Sequence, residues 1–284
     1  MTATKPLWIS CEFFPPRTDE AATKLKQVQA RLKVLNPTYY SVTFGAGGST
    51  QEKTYETVVD IQSNVGIPAA PHLSCIGSTR DNIRQLLKAY QEKNISRIVA
   101  LRGDQPSGWA GRLGDFNYAN ELVEFIRAET GQYFHIEVAA YPEIHPQAKT
   151  AESDLQYFVQ KVNAGADSAI TQYFYNADAY FYFVEAAQKL GVTIPIIPGI
   201  MPISNYEQLT RFSDVCGADI PRWLRKRLES FSDDKASLQA FGIDVVTNLC
   251  QRLIDNGVTG LHFYSLNQSE LTLRVARNLG LIPA

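Results

Sequence analysis

LWISCEF, residues 7–13, is a short run of β-branched and aromatic residues, and a longer amphipathic segment follows it from near Glu20. The first pattern predicts a β-strand and the second a helix. The same unit recurs along the chain. Further strands are predicted at TYYSVTF (38–44), AAPHLSC (69–75), RIVALRG (97–103), HIEVAAYP (135–142), SAITQYF (168–174), PIIPGI (195–200) and GLHFYSL (260–266). Helical patterns follow them from near Gln51, Thr79, Tyr118, Ala151, Ala177, Ser204 and Ser269. Eight strand–helix units in 284 residues predict a closed parallel (β/α)8 TIM barrel, an α/β single domain over residues 1–284. Doubly wound sheets also alternate strand and helix, but usually with fewer strands. Pro221–Asn256 reads as an extra helical insertion before the eighth strand. Ser49–Thr50 and Ser78–Thr79 are placed to cap helix starts, and Gly191 and Gly280 to stop helices.

The net charge of -2, from 27 basic and 29 acidic residues, gives no general pull toward nucleic acid or an anionic membrane. The basic cluster Arg222, Arg225, Lys226 and Arg227 shares an apparent helix with Trp223 and Leu228 and reads as a solvated face. Cys11, Cys75, Cys216 and Cys250 form no CxxC pair and no metal-ligand spacing, so reduced, mostly buried thiols are expected. No apolar leader and no membrane-length apolar run is present, which predicts a cytoplasmic protein.

In a barrel of this kind the active site lies at the C-terminal ends of the strands. The polar residues predicted there are Glu12, Thr43, His72, Arg102, Asp104, Tyr141 and Gln172, with Gln208 on the seventh helix. Period-two alternation puts Trp8, Ser10 and Glu12 on one face of the first strand. A carboxyl in an apolar setting can hold a proton near neutral pH and act as a general acid. An acid paired with Arg17 or Arg102 for structural reasons is the other reading of Glu12. Asp104 in turn reads either as a second catalytic acid or as a turn cap beside Arg102. FGAGGST (44–50) is a glycine-rich loop, but neither GxGxxG nor a Walker sequence, so a nucleotide cofactor would have to bind by another route. Among the histidines, His72 and His145 lie at or just after strand ends, His135 opens a strand, and His262 reads as a bonded core histidine. No HxH or HExxH motif points to a metal. No GxSxG elbow is present, and no strand lysine suggests Schiff-base chemistry. Most of the aromatic run YFYNADAYFYF (173–183) reads as helix packing, and its first rings, Tyr173 and Phe174, are expected near the site mouth, where they could stack on planar ligands.

EFFPPR (12–17), SVTFGAGGST (41–50), APHLSC (70–75), ALRGD (100–104), AAYPEIHP (139–146), AITQYF (169–174), IPGIMPISN (197–205) and HFYSLN (262–267) occur in that order. Together they resemble the methylenetetrahydrofolate reductases over essentially the whole chain. The resemblance implies a (β/α)8 barrel that binds FAD without a Rossmann motif. It also implies a ping-pong reaction in which NADH or NADPH reduces the flavin, and the flavin then reduces 5,10-methylenetetrahydrofolate to 5-methyltetrahydrofolate for methionine synthesis. The short form leans toward NADH. By the same resemblance Glu12 is the general acid and Asp104 the acid beside flavin and pterin. The implied FAD contacts are Thr43, Phe44, Ala46, His72, Arg102, Gly103, Asp104, Tyr118, Ala119, Tyr141, His145, Asp154 and Lys161. Asp104, Gln172, Gln208 and Phe212 match residues that meet folate or nicotinamide, with Phe212 stacking on a planar ring. Tyr157 and Gln160 depart from the polar or basic residues that relatives place near the adenosine-diphosphate part. Gln268 stands where relatives carry a basic residue for the folate glutamate tail. The resemblance also implies a cytoplasmic homo-oligomer, a dimer or tetramer. The sequence ends right after the barrel, without the C-terminal regulatory domain of eukaryotic relatives, so no S-adenosylmethionine inhibition is expected. A glycoside hydrolase using Glu12 and Asp104 as a carboxylate pair, and a non-catalytic flavin-binding barrel, are the rival readings.

Overall fold

Each predicted apolar run pairs with the next one along the chain. The computed structural model describes residues 7–44, 48–103, 114–231 and 234–283. Its strands are β1 (Trp8–Phe13), β2 (Tyr39–Val42), β3 (Ala69–Ser74), β4 (Arg97–Leu101), β5 (His135–Ala140), β6 (Ser168–Tyr173), β7 (Ile196–Ile200) and β8 (Gly260–Tyr264). They form one closed barrel in sequence order, every pair parallel, with β8 returning to β1. The predicted TIM barrel is therefore the observed architecture.

The outer ring is α1 (Asp19–Leu32), α2 (Gly48–Asp60), α3 (Arg80–Glu92), α4 (Ala119–Thr130), α5 (Ala151–Asn163), α6 (Ala177–Lys189), α7 (Tyr206–Cys216) and α10 (Glu270–Asn278). The insertion predicted before β8 is two helices, α8 (Arg222–Glu229) and α9 (Lys235–Asp255). Thr79 caps α3 by accepting from the Asn82 N–H at 3.2 Å. Gly191 and Gly280 follow α6 and α10 with φ of 88° and 68°, the left-handed conformation that ends a helix most easily at glycine. The second helix corrects its prediction. It begins at Gly48 rather than near Gln51, so Ser49 and Thr50 lie inside its first turn instead of preceding it. On α8, Leu224 and Leu228 are buried and Trp223 is exposed, as on a helix with one solvated face.

Alternation along the strands separates two interiors. Outward-facing Cys11, Phe13, Tyr40, Leu73, Ile98, Ile136 and Phe263 pack against helix residues such as Leu32, Ile83, Leu87, Leu122 and Ile126, all essentially inaccessible. Each such side chain contributes about 2 kcal/mol through the water it no longer meets. Inside the barrel a small apolar cluster is built from Tyr39, Ala70, Val99, Ile170 and Leu101. The rest of the barrel interior carries polar groups, among them Ser10, Glu137, Ser168 and His262, all buried. All four cysteines are free thiols, and Cys11, Cys75 and Cys250 are buried.

Candidate active site

Glu12 is the next-to-last residue of β1, and its side chain is 12% exposed. Strand register sets it opposite Ser41 on β2 and Tyr264 on β8. Its Oε2 lies 3.3 Å from His72 Nε2 of β3 and 3.7 Å from His262 Nε2 of β8. No arginine among the described residues pairs with Glu12. The reading that paired it with Arg17 or Arg102 is thereby corrected. Arg102 instead donates to Gln147 Oε1 and to the Gly103 carbonyl. Burial, foremost, holds His72 below the usual imidazole range, while the Glu12 carboxylate pulls the other way. Burial and then Glu12 also keep the Tyr264 phenol protonated well above its ordinary range.

The backbone under Glu12 is fastened from the far end of the chain. Ser265 Oγ donates to the Glu12 carbonyl. Asn267 clasps Phe14 at both backbone groups, accepting from its N–H at 2.9 Å and donating to its carbonyl at 3.0 Å. Leu266 and Asn267 take φ of 51° and 55°, so the loop turns through two successive left-handed residues to make that clasp. On the other side Thr43 N–H donates to the Phe13 carbonyl at 2.9 Å. Phe44 follows it, half-buried against the core. Sequence reasoning placed His262 in the core and passed over Tyr264 and Asn267. The signal was present in the alternation of β8, which puts His262 and Tyr264 on one face.

At the C-terminal ends of β4 and β5 a cleft of about 520 Å³ opens. Eight of the predicted cofactor contacts line it: Arg102, Gly103, Tyr118, Ala119, Tyr141, His145, Asp154 and Lys161. Tyr157, Gln147 and Lys149 also line it and were not predicted as contacts. Asp154 accepts from the His145 N–H at 2.8 Å, and His145 Nδ1 accepts from the Gln147 N–H at 3.0 Å, which places the ring proton on Nε2. Ile144, immediately before, has φ of 78°, a strained conformation for a β-branched residue. Lys161 donates to the Ala139 carbonyl, and burial brings its amine down to about 8 against an opposing pull from Asp154. The Tyr118 and Tyr157 rings are nearly parallel, 9° apart with centroids at 6.4 Å, and both are exposed at this cleft.

Gly103 has φ of 86°, and a Cβ there would fall 1.9 Å from Ser74 Oγ and 2.8 Å from Ile76 Cγ2. Gly103→Ala is expected to destabilise the fold by about 2 kcal/mol through strain and overpacking. A urea titration checks this, and an unchanged midpoint would refute the packing argument.

Gln172 sits at a break in the β6–β7 register between Ile170 and Tyr173, and its Oε1 accepts from the Tyr173 N–H at 3.0 Å. Irregular pairing of this kind re-aims a side chain at a strand end. Gln208 and Phe212 are one turn apart on α7, whose N-cap Asn205 accepts from the Gln208 N–H at 2.8 Å. The structure thus gathers Glu12 with His72, and eight of the predicted cofactor contacts with one another. It leaves Thr43 and Phe44 outside the lining of the cleft. Asp104 and Ala46 lie outside the described residues.

The profile described as "MTHFR: Methylenetetrahydrofolate reductase" matches residues 1–280. The chain is 38% identical over 275 residues to the 5,10-methylenetetrahydrofolate reductase of Escherichia coli (strain K12), covering 97% of this chain and 91% of that protein. It is 38% identical over 285 residues to methylenetetrahydrofolate reductase (NADH) 1 of Arabidopsis thaliana, covering 96% of this chain but 48% of the plant protein. Among solved structures, an uncharacterized protein from Clostridium thermocellum, described as binding two copies of 5-methyl-5,6,7,8-tetrahydrofolic acid, superposes with a TM-score of 0.69. That match covers 98% of this chain and 95% of the other at 17% identity, a likeness of fold. Among the described residues no helix is long and apolar enough to cross a membrane.

Proposed function

The chain belongs to the methylenetetrahydrofolate reductase family, and on that premise we propose that it uses FAD and NADH or NADPH to convert 5,10-methylenetetrahydrofolate into 5-methyltetrahydrofolate, in two alternating half-reactions. The observation that carries this reading is the Glu12 carboxyl beside two imidazoles at the C-terminal end of the barrel, the end at which the cleft of β4 and β5 opens.

The residues of the cleft fit a flavin dinucleotide. Arg102, His145 and Lys161 would hold its pyrophosphate through charge and hydrogen bonds, and the Tyr118 and Tyr157 rings offer flat surfaces to its adenine. Gly103 presents backbone where a side chain would not fit. When bound, the flavin supplies the two-electron chemistry that no side chain has.

This chain's own groups then act on the substrates. Glu12 would donate a proton to the nitrogen of the five-membered ring of the folate, since the closed ring carbon is a poor electrophile until that ring opens. Asp104 would hold the pterin, Gln172 would serve folate and nicotinamide in turn, and Phe212 would stack on a planar ring. In this reading residues 1–284 are one catalytic domain, the enzyme works as a cytoplasmic homo-oligomer, and its product feeds methionine synthesis.

The purified protein is expected to be yellow, to lose its flavin colour with NADH under anaerobic conditions, and to regain it on adding 5,10-methylenetetrahydrofolate. A protein that binds no flavin, or whose reduced flavin is indifferent to the folate, would overturn the reading.

A further inference from the structure

The helix that carries Gln208 and Phe212 leans across the C-terminal face of the barrel. α7 begins after β7, its middle lies on the end of β6, and its end lies on the loop after β5. Its start is seated on α9. Gln239 Nε2 of α9 donates to the Ser204 carbonyl at 3.3 Å, and a Cβ on Gly242 would fall 2.8 Å from Ile203 Cβ, so the two segments meet there at close range.

Tyr173 holds the middle of α7. It ends β6 and Phe174 follows it, but both are buried, so the rings expected to stack on a planar ligand are enclosed instead. The Tyr173 hydroxyl lies 3.0 Å from Ser213 Oγ and accepts from the Cys216 thiol at 3.4 Å. Ser213 and Cys216 are three residues apart and share the face of α7 that meets β6. Phe212 adjoins that face, and Gln208 is one turn before it. Ser213 is buried as well, so this contact is shut away from water and its loss leaves a hydroxyl without its partner. On the strand side Gln172 immediately precedes Tyr173. The Tyr173 ring also meets Tyr264 edge to face, with centroids at 6.3 Å, and Tyr264 stands opposite Glu12 in the strand register.

Glu143 holds the end of α7. Gly217 closes the helix with φ of 75°, and a Cβ there would fall 2.8 Å from Pro146 Cγ and 3.4 Å from the Ile144 carbonyl oxygen. Two residues on, the Asp219 N–H donates to Glu143 Oε2 at 2.8 Å. The loop that supplies Glu143 also supplies Tyr141, His145 and Gln147 to the cleft. Ile144, with its positive φ, turns the backbone between Glu143 and His145.

We propose that Tyr173 and Glu143 are positioning residues for the substrates: together they seat α7 so that Gln208 and Phe212 face the ligand beside the flavin. This rests on the reading of Gln208 and Phe212 as substrate contacts. Neither Tyr173 nor Glu143 lines the cleft, and neither is an ion-pair partner of Glu12. Loss of either tether frees the helix and leaves the flavin and the Glu12 proton in place. The half-saturating concentrations of NADH and of folate should therefore both rise about fivefold, the weight of one net hydrogen bond, while the limiting rates change less than about twofold.

Tyr173→Phe removes one oxygen and keeps the ring. Glu143→Ala removes the clasp, and Glu143→Gln keeps a side-chain carbonyl for the Asp219 N–H. Stopped flow on the flavin-loaded enzymes, with each substrate varied, reads affinity and limiting rate separately. Tyr173→Phe and Glu143→Ala should weaken both substrates, and Glu143→Gln should bind them as the wild type does. Hydrogen exchange across residues 206–219 should quicken in Tyr173→Phe and Glu143→Ala and not in Glu143→Gln. In a Phe212→Ala background Tyr173→Phe should add less than about twofold, because the ring it positions is gone. Exchange that keeps its wild-type rate overturns the proposal. So do affinities that stay put in Tyr173→Phe and Glu143→Ala while Phe212→Ala weakens binding, a result that leaves the substrate reading intact. A fall in limiting rate with unmoved affinity overturns it too. Unaltered affinity for both substrates in Phe212→Ala and in Gln208→Ala overturns the substrate reading and the proposal with it. If Glu143→Ala does not fold, Tyr173→Phe decides the matter alone.

Discussion

Replacing Glu12 by glutamine is expected to slow the folate half-reaction by about 10²- to 10⁴-fold, the range a positioned general acid supplies. Flavin reduction by NADH should continue at the wild-type rate. The amide is nearly the size of the carboxyl and can still meet the two imidazoles, but it has no proton to give. The geometry makes this a clean substitution. The Glu12 side chain is 12% exposed, and its ion-pair neighbours within 4 Å among the described residues are two imidazoles, His72 and His262. No structural ion pair with arginine is lost, so a general loss of stability is not expected to obscure the effect. Rapid-mixing measurements of the two half-reactions on one preparation decide the matter. Equal folate reoxidation rates in wild type and Glu12→Gln would remove Glu12 from the acid role, and both half-reactions failing together would assign it to flavin binding instead.

Glu137→Ala should produce the largest loss of stability. The carboxylate is wholly buried, and its removal strands the Arg97 guanidinium, whose side chain is 16% exposed, while Ser168 loses its acceptor. Breaking a buried pair from one side costs about 3–5 kcal/mol, because the remaining charge has been taken out of water without compensation. For a chain of this size that corresponds to a fall in Tm of roughly 10 °C. The asymmetry supplies the control. Replacing both partners, as in Arg97→Met with Glu137→Met, removes both charges and should recover most of the loss. Thermal unfolding of the single and double variants tests this, and a single variant within about 1 kcal/mol of wild type would mean that the barrel base tolerates a lone guanidinium, against the usual cost of an unpaired buried charge.

The order of elements was readable because strand and helix differ in their local period. LWISCEF alternates with period two, and the segment after it repeats near 3.6, so the eightfold succession is a property of neighbouring residues. Boundaries were less readable where loop and helix share composition. The glycines of FGAGGST suggested a loop reaching to about Gln51, but helix α2 already includes Gly48, so the first turn forms within the predicted loop. The predicted cofactor contacts came from the order of motifs across the whole chain rather than from any one of them. Eight of them then converge on one cleft, where the Tyr157 ring lies parallel to that of Tyr118.

By itself the sequence determined that this chain alternates eight strands with helices, that Glu12 shares a face with Ser10, and that its motifs follow the order of one enzyme family. Only the tertiary structure decided what Glu12 faces. Closing the barrel lays β8 beside β1, so His262, 250 residues further along the chain, comes within 4 Å of Glu12, and His72 reaches it from β3. Arginine partners were the natural expectation from charge alone, since a local pattern records which way a side chain points but not what stands across the barrel. The same closure gathers Arg97, Glu137, Tyr39 and Ser10 beneath the site, from four strands that share no local pattern.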